Sequence, residues 1–295
     1  MPRVSIGIPV YNGQNYIEQT IESFLHQSLE DFEIIIADNA STDKTEKICR
    51  QYAEKDSRIR YVRNKNNIGA APNFNKIFKL GRAPYFKWGH HDDRCAPTYL
   101  EKCIRILDYN PDVIISHPKT IIIDSQGNEL SPHDDLLDLC DAHPHTRFRK
   151  YLFRRAGQWN AMWGVIRKDE LQKTPLHGGY PGSDQILLGE LILRGKVYQL
   201  SERLFYRRRH PQQSWKANPG TKAFAVWFDS ANAGKFVMPV DWKLFLEYIS
   251  VIKRVSISKK DKGMATLYML RWGFSKLIKK PLRKQEIIQD FAATG

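Results

Sequence analysis

From Val4 to Trp88 short apolar blocks alternate with longer amphipathic ones. Val4–Val10, Phe32–Ala37, Ile59–Val62 and Tyr85–Trp88 are short, nearly unbroken and rich in β-branched or aromatic residues, the pattern of buried strands. Between them Asn15–His26 carries Tyr16, Ile17, Ile21, Phe24 and Leu25 at near-helical spacing, and Lys44–Lys55 and Asn73–Leu80 supply two further helices. Strand and helix in alternation predict βαβ units with right-handed crossovers. The expected fold class is therefore α/β, a mostly parallel central sheet flanked by helices.

The second half is less regular. Asp112–Ser116 and Thr120–Asp124 read as strands, with Ser125–Asn128 as a turn and Ser131–His145 as a mobile, solvated loop. His133, His143 and His145 in that loop are expected to be solvated rather than metal-bound. Arg147–Arg155 reads as a basic helix and Met162–Arg167 as a strand. The glycine loop Gly178–Asp184 runs into an apolar helix, Gln185–Leu193, which either Asp184 or Ser183 can cap. Lys196–Leu200 and Leu204–Tyr206 read as strands, followed by the cationic segment Arg207–Trp215.

Three early strands end in polar clusters: Tyr11-Asn12, Asp38-Asn39 and His90–Asp93. In a parallel sheet these ends share one edge, where ligands of open α/β sheets bind. Asp92 and Asp93 suit a hard divalent cation that keeps coordination sites for phosphate. The same residues suit a plain turn, with Asp93 or Thr98 capping a helix near Thr98–Tyr109. Donors in Arg207–Ser214 suit phosphate oxygens.

Composition narrows the partners. In 295 residues, 42% are hydrophobic, enough for one large domain. No opening stretch has the order of a signal peptide, and no apolar run has the length of a membrane span. Cys49, Cys95, Cys103 and Cys140 form no CxxC pair and read as reduced thiols in a cytoplasmic protein. The net charge of +14 is uneven: Lys253–Lys284 holds eleven basic residues against one acid, Asp261. Such a cluster among apolar residues marks an anionic partner.

Together these segments resemble the family 2 glycosyltransferases of the GT-A fold. Ser5–Asn12 is similar to that family's first strand, Asp38–Asp43 to its acidic second-strand turn, and Asn67-Ile-Gly69 with Asn73 to its Asn-x-Gly loop. Gly182–Gln185 stands where the family has a Glu-Asp element, and Tyr206–Ser214 resembles its late Arg…His…Ser segment. Two positions depart from the pattern. His90 stands for the first Asp of the family's Asp-x-Asp motif, and Ser183 for the Glu of the Glu-Asp pair.

The resemblance implies inverting transfer of a sugar from a nucleotide diphosphate, UDP or dTDP favoured, to an acceptor hydroxyl in polysaccharide or glycolipid synthesis. It assigns the nucleotide to Pro9, Tyr11, Asn12, Asp38, Asn67, Gly69, Asn73 and Asp92. It assigns Mn²⁺ or Mg²⁺ to Asp92, with His90, Asp93 and His210 as further ligands. Arg207, Arg208, Arg209 and Ser214 would meet the diphosphate or the acceptor, and Asp184 would be the general base. The implied organisation is a catalytic domain over 1–218, with a nucleotide-binding half (1–117) and an acceptor-binding half (118–218), and a helical basic extension over 219–295. Two other readings stay open: a basic nucleic-acid-binding protein, which lacks any helix-turn-helix, zinc-finger or RNA-binding signature, and an inactive sugar-nucleotide-binding relative. No nucleic-acid partner is expected.

The tail has its own pattern. From Met264 to Lys280, Leu267, Leu270, Phe274, Leu277 and Ile278 fall on one side of a helix, with Trp272 and Tyr268 nearby. An apolar side among Lys and Arg suits either packing on the catalytic domain or an anionic membrane surface reached through 264–284, next to a lipid-linked acceptor. The expected location is cytoplasmic, with peripheral attachment to the inner face of the plasma membrane.

Overall fold

The computed structural model describes residues 1–154 and 160–278; Arg155 of the expected basic helix and residues 279–284 of the expected membrane segment lie outside the described residues. The first half alternates β1 (Val4–Val10), α1 (Ile17–Leu25), β2 (Phe32–Asp38), α2 (Thr45–Lys55), β3 (Ile59–Arg63), α3 (Ala70–Leu80) and β4 (Tyr85–Trp88). Every residue of β1, β2 and β4 is buried, as expected of strands covered on both faces. Alternate residues serve opposite layers. Ile34 and Ile36 pack with Ile17, Ile21, Phe24 and Leu100 on one side, whereas Ile35 and Ala37 join Ile77, Phe86 and Trp88 on the other.

β5 (Arg94–Cys95), α4 (Tyr99–Tyr109), β6 (Val113–Ile123), β7 (Glu129–His133) and α5 (Pro144–Phe153) follow, then a 3₁₀ turn at Asn160–Trp163. β8 (Val165–Arg167), α6 (Lys168–Gln172), α7 (Ser183–Arg194) and β9 (Lys196–Arg208) complete the sheet, in the order β3-β2-β1-β4-β8-β6-β9-β5 with β7 paired to β6. The sheet is mixed. β1 pairs in parallel with β2 and β4, and β2 with β3, but β8 runs antiparallel to both β4 and β6.

Several local expectations change. The two strands expected around Pro118 are one strand, β6, because irregular pairing with β9 at Pro118/Lys119 absorbs the proline that lacks a donor. The strands expected at 196–200 and 204–206 likewise merge into β9. The loop expected over Ser131–His145 is docked: Leu137 and Leu139 are buried, Leu139 exchanges two backbone hydrogen bonds with Val197, and α5 already starts at Pro144. His145 Nδ1 lies 2.6 Å from Asp261 Oδ1 and ties the C-terminal helices to α5. His143 stacks on His145, and ligand atoms of the three residues lie within 4.8 Å of one another. This cluster sits at the N-termini of two helices, whose dipoles disfavour a cation.

The C-terminal part comprises α8 (Ser214–Ala217), α9 (Thr221–Phe228), α10 (Val240–Arg254) and α11 (Lys259–Gly273), which runs into a π turn, Phe274–Ile278. α10 and α11 send Leu244, Tyr248, Val251, Ala265, Met269 and Trp272 into the same apolar core that holds Ile35 and Trp88. The side of α11 expected to be apolar faces water instead. Leu267, Leu270 and Phe274 are 57%, 53% and 57% exposed, while Trp272, expected at an interface, is buried.

Candidate active site

The parallel register sets Val10 beside Asp38, and Gly89 N donates to Gly7 O. The carboxyl ends of β1, β2 and β4 thus share one edge, and Tyr11-Asn12, Asp38-Asn39 and His90–Asp93 leave from it. The loops are cross-linked there. Asn12, at φ +53°, accepts Thr42 N–H on Oδ1 at 2.8 Å, and Asn12 N–H donates to Ser41 Oγ at 2.9 Å. Ala40 sits at φ +65°, a conformation costing an L-residue about 1–2 kcal/mol. Asp38 holds it there, because Oδ1 accepts Ser41 N–H at 2.8 Å.

Asp38 is fully buried, and its Oδ2 accepts the Tyr61 hydroxyl at 2.6 Å. The acid read as a nucleotide contact is thus also the keystone of its loop. Asp38→Ala leaves a buried N–H and a hydroxyl without their acceptor, each costing about 1–3 kcal/mol. A lowered melting temperature accompanying the loss of nucleotide affinity is the expected result; an unchanged melting temperature would assign Asp38 to ligand alone.

Asn73 is also interior. Its Nδ2 donates to Ala37 O at 2.8 Å and its Oδ1 accepts from Asn64 at 2.9 Å. Asn64 also donates to Asn39, whose Nδ2 reaches Asn67 Oδ1 at 2.8 Å and Gly69 O at 3.1 Å. Asn67 is exposed and Gly69 stands at φ +89°. A Cβ on Gly69 would lie 2.6 Å from Asp229 Cα, so the chain after α9 crosses directly over the loop. Pro9 is buried in β1, and Tyr11, 43% exposed, stands at the mouth.

β5 brings the late cationic segment to this edge by pairing Arg94 with Tyr206. Asp93 Oδ1 then accepts Arg208 N–H at 2.8 Å, while its Oδ2 lies 2.9 Å from His90 Nδ1. Asp93 is thus buried between Arg208 and His90, and neither Asp93 nor the Thr98 side chain caps α4. Asp92 Oδ2 lies 2.8 Å from His210 Nε2. Burial alone would raise the Asp92 carboxyl, but His91, the His210 hydrogen bond and His90 outweigh it and hold it below the usual carboxylate range. Ligand atoms of His90, Asp92 and Asp93 lie within 4.8 Å of one another. His210 is buried, and its Nδ1 has no hydrogen-bond partner among the described residues. A carboxylate held below its usual range beside imidazole nitrogens fits a divalent ion of the Mn²⁺ type.

The four residues expected at the diphosphate diverge. Arg208 belongs to the scaffold: it is wholly buried, its guanidinium donates to the carbonyls of Asp92, Asp124 and Ser125 and to Gln19, and it stacks on Tyr16. Four of its five N–H donors are committed in this way. Arg209 is exposed, Arg207 is half-buried with Nη1 on Asn160 Oδ1 at 3.1 Å, and Ser214 opens α8.

Asp184 lies in the first turn of α7. Neither it nor Ser183 caps that helix; Gly182 takes the cap position at φ +85°, and the buried Ser183 Oγ has no partner among the described residues. The half-buried Asp184 carboxyl is pushed above the ordinary carboxylate range by burial, against the opposing pull of Gln185 N–H, Arg207 and His90. His90 and Arg207 are the charged groups of the His90–Asp93 and Arg207–Ser214 segments that act on Asp184. Sequence reasoning missed the supports of this side. Buried Asp135 accepts from Asn160, which holds Arg207, and Trp163 lies against the His90 ring at 3.9 Å between centroids. His177 packs on Trp88 with its Nε2 unpaired among the described residues; burial and then His90 lower it to about 3.

Known proteins share this fold. The profile of glycosyl transferase family 2 matches residues 5–168, more than half of the chain, and the chain belongs to that family. An uncharacterized glycosyltransferase of Methanocaldococcus jannaschii is 30% identical over 155 residues, 52% of this chain and 52% of that protein. TuaG of Bacillus subtilis, named for teichuronic acid biosynthesis, is 39% identical over 106 residues, 36% of this chain and 42% of its own. The matches thus span about half or less of these curated relatives. Residues 1–349 of S. aureus TarS superpose with a TM-score of 0.68 at 15% identity, over 98% of this chain and 77% of that structure. TarS with UDP-GlcNAc gives 0.65, and the mannosyltransferase PcManGT of Pyrobaculum calidifontis, solved with GDP-Man and Mn²⁺, gives 0.52 at 13% identity over 95% of this chain and 88% of that one. These likenesses establish the GT-A α/β fold.

Proposed function

We propose that this chain is an inverting glycosyltransferase that moves a sugar from a nucleotide diphosphate, UDP or dTDP, to an acceptor hydroxyl in polysaccharide or glycolipid synthesis. The observation that carries the reading is Asp92, bonded to His210 and held below the usual carboxylate range, together with an Asp184 whose affinity for protons is raised by burial and which feels His90 and Arg207. The catalytic part is 1–218, with nucleotide bound by 1–117 and acceptor by 118–218, and 219–295 is the helical extension.

The nucleotide lies on the edge formed by Tyr11, Asn12 and the Asn67–Gly69 loop, over the buried Asp38 and Asn73. Asp92 and His210 hold the cation, with His90 at its flank and Asp93 fixing His90 and Arg208. A bound Mn²⁺ or Mg²⁺ supplies Lewis-acid neutralisation of the leaving diphosphate. Arg207 and Arg209 add positive charge there. Asp184 takes the acceptor proton from the face opposite the leaving group. Its raised proton affinity suits that role, since a base works best with a pKa nearer the operating pH. TuaG's name, and the UDP-GlcNAc seen with TarS, agree with a nucleotide sugar and a wall-type polysaccharide.

A thermal-shift panel of nucleotides and nucleotide sugars tests the reading, because a ligand that binds only the folded state raises apparent stability. UDP or dTDP compounds are expected to raise the melting temperature, and more so with Mn²⁺. No shift with any nucleotide, with or without metal, overturns it. Binding without donor hydrolysis, in wild type as in Asp92→Ala, would favour an inactive sugar-nucleotide-binding relative.

A further inference from the structure

Three large apolar side chains of α11 have no protein partner that removes them from water. Leu267, Leu270 and Phe274 are 57%, 53% and 57% exposed and follow i, i+3, i+7 spacing, so they form one stripe. The opposite stripe, Ala265, Met269 and Trp272, already fills the core. Helix amphipathicity is therefore satisfied inward, and the outward apolar stripe serves something else.

The stripe extends onto neighbouring helices. Arg271 stacks over Phe153 at the end of α5, and Phe153 is itself 42% exposed. On α10, Trp242 and Leu246 are 49% and 50% exposed. Trp242 lies 6.4 Å from the Phe245 ring, which packs on Gly273 where α10 meets α11, so the exposed residues of the two helices belong to neighbouring elements. Exposed apolar area of this extent marks a contact surface. Its border is cationic: Lys259, Lys260, Arg271 and Lys276 are all exposed. Among the described residues no helix is long and apolar enough to cross a membrane.

We infer that this face of α10 and α11 docks in the plane of an anionic lipid surface. Exposed Leu, Phe and Trp enter the boundary between headgroups and acyl chains while Lys and Arg meet lipid phosphates. A protein partner would need a shape to complement; a bilayer needs only this combination of an apolar stripe and a rim that is cationic along α11, the acids Asp241 and Glu247 lying on α10. The position of the face adds a purpose. The inner side of α10 touches the catalytic helix: Leu244 packs at Gly182, and the Tyr248 hydroxyl donates to Gln185 O at 3.2 Å. The lipid-facing side thus stands about one helix diameter, roughly 10 Å, behind the turn that carries Asp184. A sugar acceptor carried on a lipid is delivered to the base by this placement. The lipid-linked nature of the acceptor rests on the glycosyl-transfer reading; the docking does not.

Sedimentation of the full chain with vesicles tests it. Vesicles of phosphatidylglycerol and phosphatidylcholine in equal parts are expected to carry the protein down at low salt, whereas pure phosphatidylcholine and high salt do not. Replacing Lys259, Lys260 and Arg271 by Gln should weaken binding about fivefold for each cation removed. The triple change Leu267→Ser, Leu270→Ser, Phe274→Ser should abolish it while donor hydrolysis in solution is unchanged. Absence of wild-type binding at low salt overturns the inference, as does full vesicle binding by the serine variant. A wild-type dimer that the serine variant turns into a monomer, without vesicle binding, would assign the face to self-association and also overturn it. Loss of donor hydrolysis in wild type, with vesicle binding intact, counts against the glycosyl-transfer reading alone.

Discussion

Asp184→Asn is expected to lower glycosyl transfer by about 10²–10⁴-fold, the contribution of a positioned general base, with donor affinity nearly intact. A base acts on the acceptor proton as the transition state forms and adds little to ground-state donor binding. The same substitution makes a second forecast of opposite sign. Burial raises the proton affinity of Asp184 in the folded state. A raised folded pKa means stability that is present in acid and is lost as pH rises through that pKa. At neutral pH the ionised carboxylate therefore burdens the fold, and Asn relieves it. Melting temperatures of wild type and variant should coincide at low pH and separate toward neutrality, the variant being higher. In parallel, wild-type kcat/KM should fall as pH drops through the raised pKa. A variant that turns over normally assigns the base elsewhere. One that loses donor affinity, or melts lower at neutral pH, makes Asp184 a structural acid.

The polar edge of the sheet was legible because its physics is local. Continuous apolar strands, each ending in a polar cluster, place Tyr11, Asp38 and His90 on one side of a parallel sheet, and the register of β1 with β2 and β4 bears that out. What was not legible is how each polar side chain is partitioned between ligand and scaffold. Asp38 and Asn73 look like Asn67 in sequence, yet they are buried and bonded to the chain whereas Asn67 is exposed. Arg208 cannot be told from Arg207 and Arg209 by spacing, since alternation along β9 buries only the middle one. The docked 131–145 segment and the mixed half of the sheet depend on antiparallel and bridging contacts between distant residues, for which a single sequence has no periodic signal. The tail was undecided for a related reason. Hydrophobicity left Leu267, Leu270 and Phe274 open to either packing on the catalytic domain or an anionic surface; in the structure Ala265, Met269, Trp272 and Gly273 are the ones turned in.

Asp92→Ala should abolish Mn²⁺ binding in calorimetry and lower transfer by at least about 100-fold, since Lewis-acid neutralisation of a leaving diphosphate contributes several kcal/mol. The argument starts from the carboxylate. His91, the His210 hydrogen bond and His90 hold the Asp92 carboxyl below the usual range against the cost of burial, so its charge is available to a cation at neutral pH. Asp93 is less available, with its oxygens on Arg208 N and His90 Nδ1. Its replacement should loosen the His90 and Arg208 geometry and weaken metal affinity less than loss of Asp92 does. Imidazole nitrogens at His90 and His210 favour a transition ion over Mg²⁺. Mn²⁺ is therefore expected to bind and activate more strongly than Mg²⁺, and His90→Asp should move that ratio toward Mg²⁺ by supplying a hard oxygen. His90 also leans on Trp163, so the variant's melting curve distinguishes a lost packing contact from a changed ligand. Full activity in excess EDTA, with no Mn²⁺ heat in wild type, would instead give the charge of the diphosphate to Arg207 and Arg209.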